Sequence, residues 1–212
     1  MAALGEAGEA GEAMKSILLA MMAAGLIGAV GVALSPGPAA ASQDMDHAHA
    51  LVMVPGSHTL FLGTHNGILQ SKDEGRTWVP VPLPGGPKGI DVMSLVADPS
   101  NPLVLYAGTH ERGVLRSRDG GKTWEDVSIG LGGQDVHALS IDPNRPKVLH
   151  AWVVGKGLYR TTDGAVKWLR VDDGPENPEV KALTSVNIPT GMGGIFLYAG
   201  TATGLHRNPD CF

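Results

Sequence analysis

The chain repeats itself. Three segments align with one another: "HALVMVPGSHTLFLGTHNGILQSKDEGRTWVPV" from His49, "MSLVADPSNPLVLYAGTHERGVLRSRDGGKTWEDV" from Met93 and "HALSIDPNRPKVLHAWVVGKGLYRTTDGAVKWLRV" from His137. A fourth, "KALTSVNIPTGMGGIFLYAGTATGLHRNPDCF" from Lys181, follows the same pattern to the end of the sequence. Trp78, Trp124 and Trp168 are 46 and 44 residues apart, and Asp73, Asp119, Asp163 and Asp210 step by 46, 44 and 47. A fixed period of this size means one supersecondary unit stacked on copies of itself, which leaves few architectures open.

Each unit reads as four short strands. In the second they are Ser94 to Ala97, Leu103 to Thr109, Gly113 to Ser117 and Thr123 to Val127, separated by "DPSNP", "HERG" and "DGGK". Asp-Pro, His-x-x-Gly and Asp-Gly-Gly are turn chemistry: proline presets one dihedral and glycine supplies positive φ. The second strand of every unit ("LFLGT", "LVLYAGT", "VLHAWVV", "IFLYAGT") is nearly continuous in apolar residues, as expected of a strand buried on both faces between stacked sheets. Four strands in about 45 residues is the unit of a β-propeller blade. The expected fold is therefore all-β, a β-propeller of four-stranded antiparallel blades at about 49–81, 93–127, 137–171 and 181–212. Three blades are complete and one is partial, giving an open arc within a domain at 42–212.

The remaining residues are of a different kind. Residues 14–41 carry Lys15, an apolar run from Ile17 to Leu34, a Ser-Pro-Gly-Pro break and Ala39-Ala40-Ala41, the order of a helical secretory signal peptide. The 18-residue apolar run also reaches membrane-spanning length, so an uncleaved anchor is the alternative, and with it membrane attachment. Either way the domain is expected to be exported, to a periplasmic or extracellular space. Residues 1–13, "MAALGEAGEAGEA", are low-complexity and acidic, the wrong lead-in for a signal, and read as a mis-assigned start ahead of Met14. A net charge of −5 gives no basic footprint and excludes the usual nucleic-acid-binding surface. The single cysteine, Cys211, has no internal partner for a disulfide.

The strings "SKDEGRTW" (71–78) and "SRDGGKTW" (117–124) match S-x-D-x-G-x-T-W in full. "TTDGAVKW" (161–168) keeps Asp163 and Trp168, with Ala165 in place of the glycine and Val166 in place of the threonine. This motif is the Asp-box, or BNR repeat, and the chain resembles the Asp-box β-propellers: sialidases, sortilin-type receptor domains and photosystem II assembly-factor propellers. The resemblance covers residues 49–212 and implies a structural role for Ser71, Asp73, Gly75, Thr77, Trp78, Ser117, Asp119, Gly121, Thr123, Trp124, Asp163 and Trp168. Each aspartate would accept backbone N–H bonds within its own turn, glycine would take the left-handed position, and each tryptophan would fill a seam between blades. Calcium is a poor alternative, because each loop offers few oxygen ligands.

Propellers bind ligands at the channel mouth, where the innermost strands begin. Aligning "HAHAL", "DVMSL", "DVHAL" and "EVKAL" gives one column of His47, Asp91, Asp135 and Glu179 and, two residues on, another of His49, Met93, His137 and Lys181. Residues two apart on a strand face the same side, so both columns are expected around one axis. They are candidates for protein or carbohydrate binding, with His47, His49 and His137 as metal ligands in an alternative reading supported by Asp91 and Asp135. Against these stands a plain one, in which the acids satisfy turn N–H groups and the histidines are solvated lining. His65 and His110 follow Gly-Thr at the end of the second strand and read as turn residues rather than as a site.

Sialidase activity is disfavoured. That chemistry needs an arginine triad, an Arg-Ile-Pro element and a tyrosine–glutamate pair, whereas Tyr106, Tyr159 and Tyr198 all fall inside strands and no Arg-Ile-Pro occurs. The reading that follows is a non-catalytic binding or assembly module without a cofactor. Its alternatives are a sialidase-like exo-glycoside hydrolase and a periplasmic metal-binding protein. The fourth repeat stops at "NPDCF", where Asp210 calls for a further Gly-x-Thr-Trp and strand, so a truncated product is expected. Exposed blade edges would then favour self-association.

Overall fold

The computed structural model describes residues 47–85, 89–171, 179–188 and 195–210, with residues 209 and 210 described by their backbone alone. The expected leader at 14–41, residues 1–13, Cys211 and Phe212 lie outside the described residues.

The described residues form four antiparallel sheets and no helix. Blade 1 holds β1 (Ala48–Met53), β2 (Leu60–Thr64), β3 (Gly67–Ser71) and β4 (Val79–Pro80); blade 2 holds β5 (Val92–Ala97), β6 (Leu105–Thr109), β7 (Val114–Ser117) and β8 (Glu125–Asp126). Blade 3 holds β9 (Val136–Ile141), β10 (Leu149–Val153), β11 (Gly157–Thr161) and β12 (Leu169–Val171). Blade 4 holds β13 (Val180–Asn187), β14 (Ile195–Thr201) and β15 (Gly204–Asp210). Within each blade the strands pair in chain order. The first strands pack blade to blade, β1 on β5, β5 on β9 and β9 on β13. This is a β-propeller arrangement of three full blades and one three-stranded blade.

The apolar second strands behave as their composition requires. β6 is buried at all five positions and β10 at all but one, because each lies between two blades; β2, in blade 1, is also buried at all but one. β14 alternates instead, with Phe196 and Tyr198 half-buried, since among the described residues no further blade covers its outer face. The core is accordingly divided among the seams. Phe61, Ile68, Val92, Leu105 and Trp124 fill the first, and Tyr106, Val114, Val136, Leu139 and Trp168 the second. Ala138, Val180 and Ala199 form the third, with Trp152 and Leu183 against them.

The turns follow the punctuation of the sequence. Asp98 Oδ1 accepts from the Ser100 and Asn101 amides at 2.8 and 3.1 Å, and Asp142 Oδ1 accepts from those of Asn144 and Arg145 at 2.8 and 3.0 Å. In blades 1 and 2 the aspartate of the third loop closes its own hairpin. Asp73 accepts from the Thr77 amide (2.8 Å) and hydroxyl (2.7 Å), and the Ser71 hydroxyl accepts the Gly75 amide at 2.8 Å. Asp119 repeats this with Thr123 at 2.9 and 2.6 Å. These loop bonds shorten the fourth strand to Glu125–Asp126, inside the expected Thr123–Val127.

Three details differ from expectation. In the third loop the counterpart of Thr77 is Lys167 rather than Val166, and the Lys167 amide donates to Asp163 at 3.2 Å without a hydroxyl to accompany it. Trp124 and Trp168 fill seams, but Trp78 is only half-buried, because no described blade precedes blade 1. Asp210 lies in β15, paired with Ile195, instead of in a closed loop, since β14 and β15 run seven residues each.

Candidate functional site

The site is made by an irregularity common to all four blades. Where each first strand pairs with its second, the register slips by one residue. The partners skip from Ala48 to Ala50, from Val92 to Ser94, from Val136 to Ala138 and from Val180 to Ala182. The skipped residues are His49, Met93, His137 and Lys181, the second of the two aligned columns. A β-bulge leaves its extra residue outside the ladder and re-aims its side chain. The expected strict alternation therefore fails at this one place, and the two columns meet at the blade seams.

At the first seam, three side chains from two blades approach one another. His65 Nδ1 is 2.7 Å from Asp91 Oδ2, His49 Nε2 is 3.4 Å from His65 Nδ1, and His49 Nε2 is 3.5 Å from Asp91 Oδ1. Asp91 Oδ1 is buried and has no hydrogen-bond partner. At the second seam the same atom types recur: His110 Nδ1 is 2.9 Å from Asp135 Oδ1, with His137 Nε2 at 3.4 Å from His110 Nδ1 and 3.0 Å from Asp135 Oδ1. His65 and His110 keep 45% and 46% of their side-chain surface in solvent, so both groups are open.

Packing brings the partners together. A Cβ on Gly63 would lie 2.8 Å from Val92 Cγ1, and one on Gly108 would lie 3.0 Å from Val136 Cγ1. The bare glycine before Thr64 and Thr109 thus lets the next blade close in, which carries Asp91 to His65 and Asp135 to His110. The His110 amide also donates to the Asp91 carbonyl at 2.9 Å, and the Val154 amide donates to the Asp135 carbonyl at 2.9 Å, fixing each loop to its own first strand.

The third seam has different residues. Trp152 takes the place of Gly63 and Gly108, and Val154 that of His65 and His110. The acid is Glu179, which accepts a hydrogen bond from Lys181 Nζ. That bond, helped by the lysine charge, holds the Glu179 carboxyl below its usual range.

All seven residues proposed for the channel mouth thus lie at the blade seams or beside them, in separate groups. His49 joins Asp91, His137 joins Asp135, and Lys181 joins Glu179; His49 and His137 do not share a group. His47, in the left-handed region at φ 73°, contributes only a tilted ring contact to His65, with centroids 5.0 Å apart. The residues missed were His65 and His110. Their signal was present in the repeated Gly-Thr-His of "LGTHNG" and "AGTHERG", but a histidine after a strand has the same appearance whether it caps a turn or reaches across a seam.

No family model and no curated protein matches the chain. Among solved structures, a GH74 enzyme from Niastella koreensis is similar at 19% identity, with a TM-score of 0.57 over 77% of this chain and 28% of that one. The GH74 xyloglucanase from Xanthomonas campestris is similar at 18% identity, with a TM-score of 0.55 over 81% and 32%. The extracellular domain of BT4673 from B. thetaiotaomicron is similar at 21% identity, with a TM-score of 0.56 over 78% and 21%. The chain spans between a fifth and a third of the length of these structures. At such identities the likeness establishes the β-propeller fold alone.

Proposed function

We propose that the chain is a segment of an exported Asp-box propeller that works as a non-catalytic binding module. It would contact a protein or carbohydrate ligand at the rim where the first strands begin. The observation that carries this reading is that each rim acid is engaged by a basic side chain across or beside a seam: Asp91 by His65, Asp135 by His110 and His137, and Glu179 by Lys181. A glycosidase needs one carboxyl held protonated as general acid, and Glu179 is shifted the opposite way. The Ser71–Trp78 and Ser117–Trp124 loops support the Asp-box assignment by bonding inward on themselves, as staples.

The test pairs turnover with binding. The chain is assayed on a panel of fluorogenic glycosides and on arrays of immobilised glycans and peptides. Saturable binding without turnover is the expected result, with Lys181→Glu weakening it. Hydrolysis above the buffer rate, or silence on both arrays, would overturn the reading.

A further inference from the structure

We propose that the first two blade seams are paired binding sites for a divalent transition metal, with zinc the best fit. His49, His65 and Asp91 would hold one ion, and His110, Asp135 and His137 the other. This rests on the seam geometry and not on the binding-module reading above.

The chemistry of the donors is the first argument. Two imidazole nitrogens and one carboxylate oxygen form a borderline-soft set that suits zinc, and three protein ligands leave a position for water or an exogenous ligand. Geometry is the second. Zinc bound tetrahedrally at about 2.0–2.1 Å holds its ligand atoms about 3.3–3.4 Å apart. The two imidazole nitrogens are 3.4 Å apart at both seams; Asp135 Oδ1 lies 2.9 and 3.0 Å from its pair, and Asp91 presents Oδ2 2.7 Å from His65 and Oδ1 3.5 Å from His49. An ion can enter once each carboxylate turns one oxygen toward both nitrogens of its group.

Hydrogen bonding alone accounts poorly for the first group. The His65 nitrogen at 2.7 Å satisfies Asp91 Oδ2, but His49 Nε2 then lies 3.4 Å from a nitrogen already engaged and 3.5 Å from Oδ1. Both separations exceed the ordinary range of about 2.7–3.2 Å. Asp91 Oδ1 is left buried without a hydrogen bond, with His49 Nε2 at 3.5 Å, and an unmet buried carboxylate oxygen is costly unless something cationic reaches it.

Recurrence is the third argument. The His–Asp pair across the seam is equivalent in both, whereas the third ligand comes from the bulge of the earlier blade at one seam (His49) and of the later blade at the other (His137). Two routes to the same donor set favour the set itself over a packing accident. Where the loop histidine is lost, at Val154, the seam carries the Glu179–Lys181 ion pair, so a lysine supplies the positive charge there.

The test uses the whole chain and zinc alone, with calorimetric titration and elemental analysis after dialysis. Two zinc ions per chain are expected. His65→Gln and His110→Gln should each remove one, and the double variant should lose both, while His58→Ala changes nothing. Cobalt loaded in place of zinc should show the intense visible bands of a tetrahedral site in the unsubstituted chain, a readout independent of whether any variant folds. Failure to retain zinc, or retention unaltered in the double variant, overturns the proposal.

Discussion

His65 Nδ1 and Asp91 Oδ2 are 2.7 Å apart although 26 residues and a blade boundary separate them. The contact depends on Gly63, whose missing side chain admits Val92, the neighbour of Asp91. Gly63→Ala would force the blades apart where β2 faces β5. The expected loss is about 1–3 kcal/mol in chemical denaturation. The His65–Asp91 pair should break with it, seen as altered His65 imidazole resonances. An unchanged denaturation midpoint would show that the seam can absorb a methyl group.

Met93 is the bulge residue of blade 2, the blade between the two seams, and is equivalent to both His49 and His137. Met93→His should add an imidazole to one of the two groups and tighten zinc binding there by about tenfold or more, measured by competition with a chromophoric chelator. Unchanged affinity at both seams would mean that this bulge points elsewhere.

Asp73 and Asp119 are held at about 2, below the ordinary 3.8, chiefly by the hydroxyls of Thr77 and Thr123 and then by their amides. A carboxyl whose folded pKa is depressed stabilises the fold fully above its unfolded value and loses that contribution as pH falls through the folded one. Stability from these two loops should therefore decline between about pH 4 and pH 2. Thr77→Val with Thr123→Val should move both titrations up toward 3.8 in a carboxyl NMR titration and flatten the acid limb of the stability curve. Identical curves would assign the depression to the backbone alone.

Trp168 is 1% exposed and donates from Nε1 to the Val127 carbonyl of blade 2 at 2.8 Å. Trp168→Ala should cost about 3–5 kcal/mol and Trp78→Ala only about 1–2, since the second ring is half-buried. Urea denaturation of the two variants side by side decides it. Equal losses would contradict the inequality of the two seats.

Much of this architecture is legible in the sequence, because a period of 44 to 46 residues and a tryptophan at the same place in the first three repeats are one-dimensional signals of a stacked unit. The candidate residues at the head of each first strand were also legible, as aligned columns. Their grouping was not. Alternation predicts two columns on one side of a strand, and only the register slip opposite Thr64, Thr109, Val153 and Thr201 shows that the second column leaves the ladder. His65 and His110 were undervalued for a related reason: their partners, Asp91 and Asp135, belong to the next repeat, and alignment of repeats compares equivalent positions without showing which unequal ones touch. The half-buried Trp78 and the alternating β14 reflect position in the array, which no single repeat encodes.

The recurrent bulge separates two kinds of selection. The residues around it must keep the blades stacked, and a change among them disturbs a seam. The bulged residue itself belongs to no ladder, and in four copies it has been histidine, methionine, histidine and lysine. One codon per repeat can therefore be rewritten with little penalty to folding. A rim built this way can exchange an imidazole for a fixed charge or a neutral thioether while the scaffold beneath it stays the same.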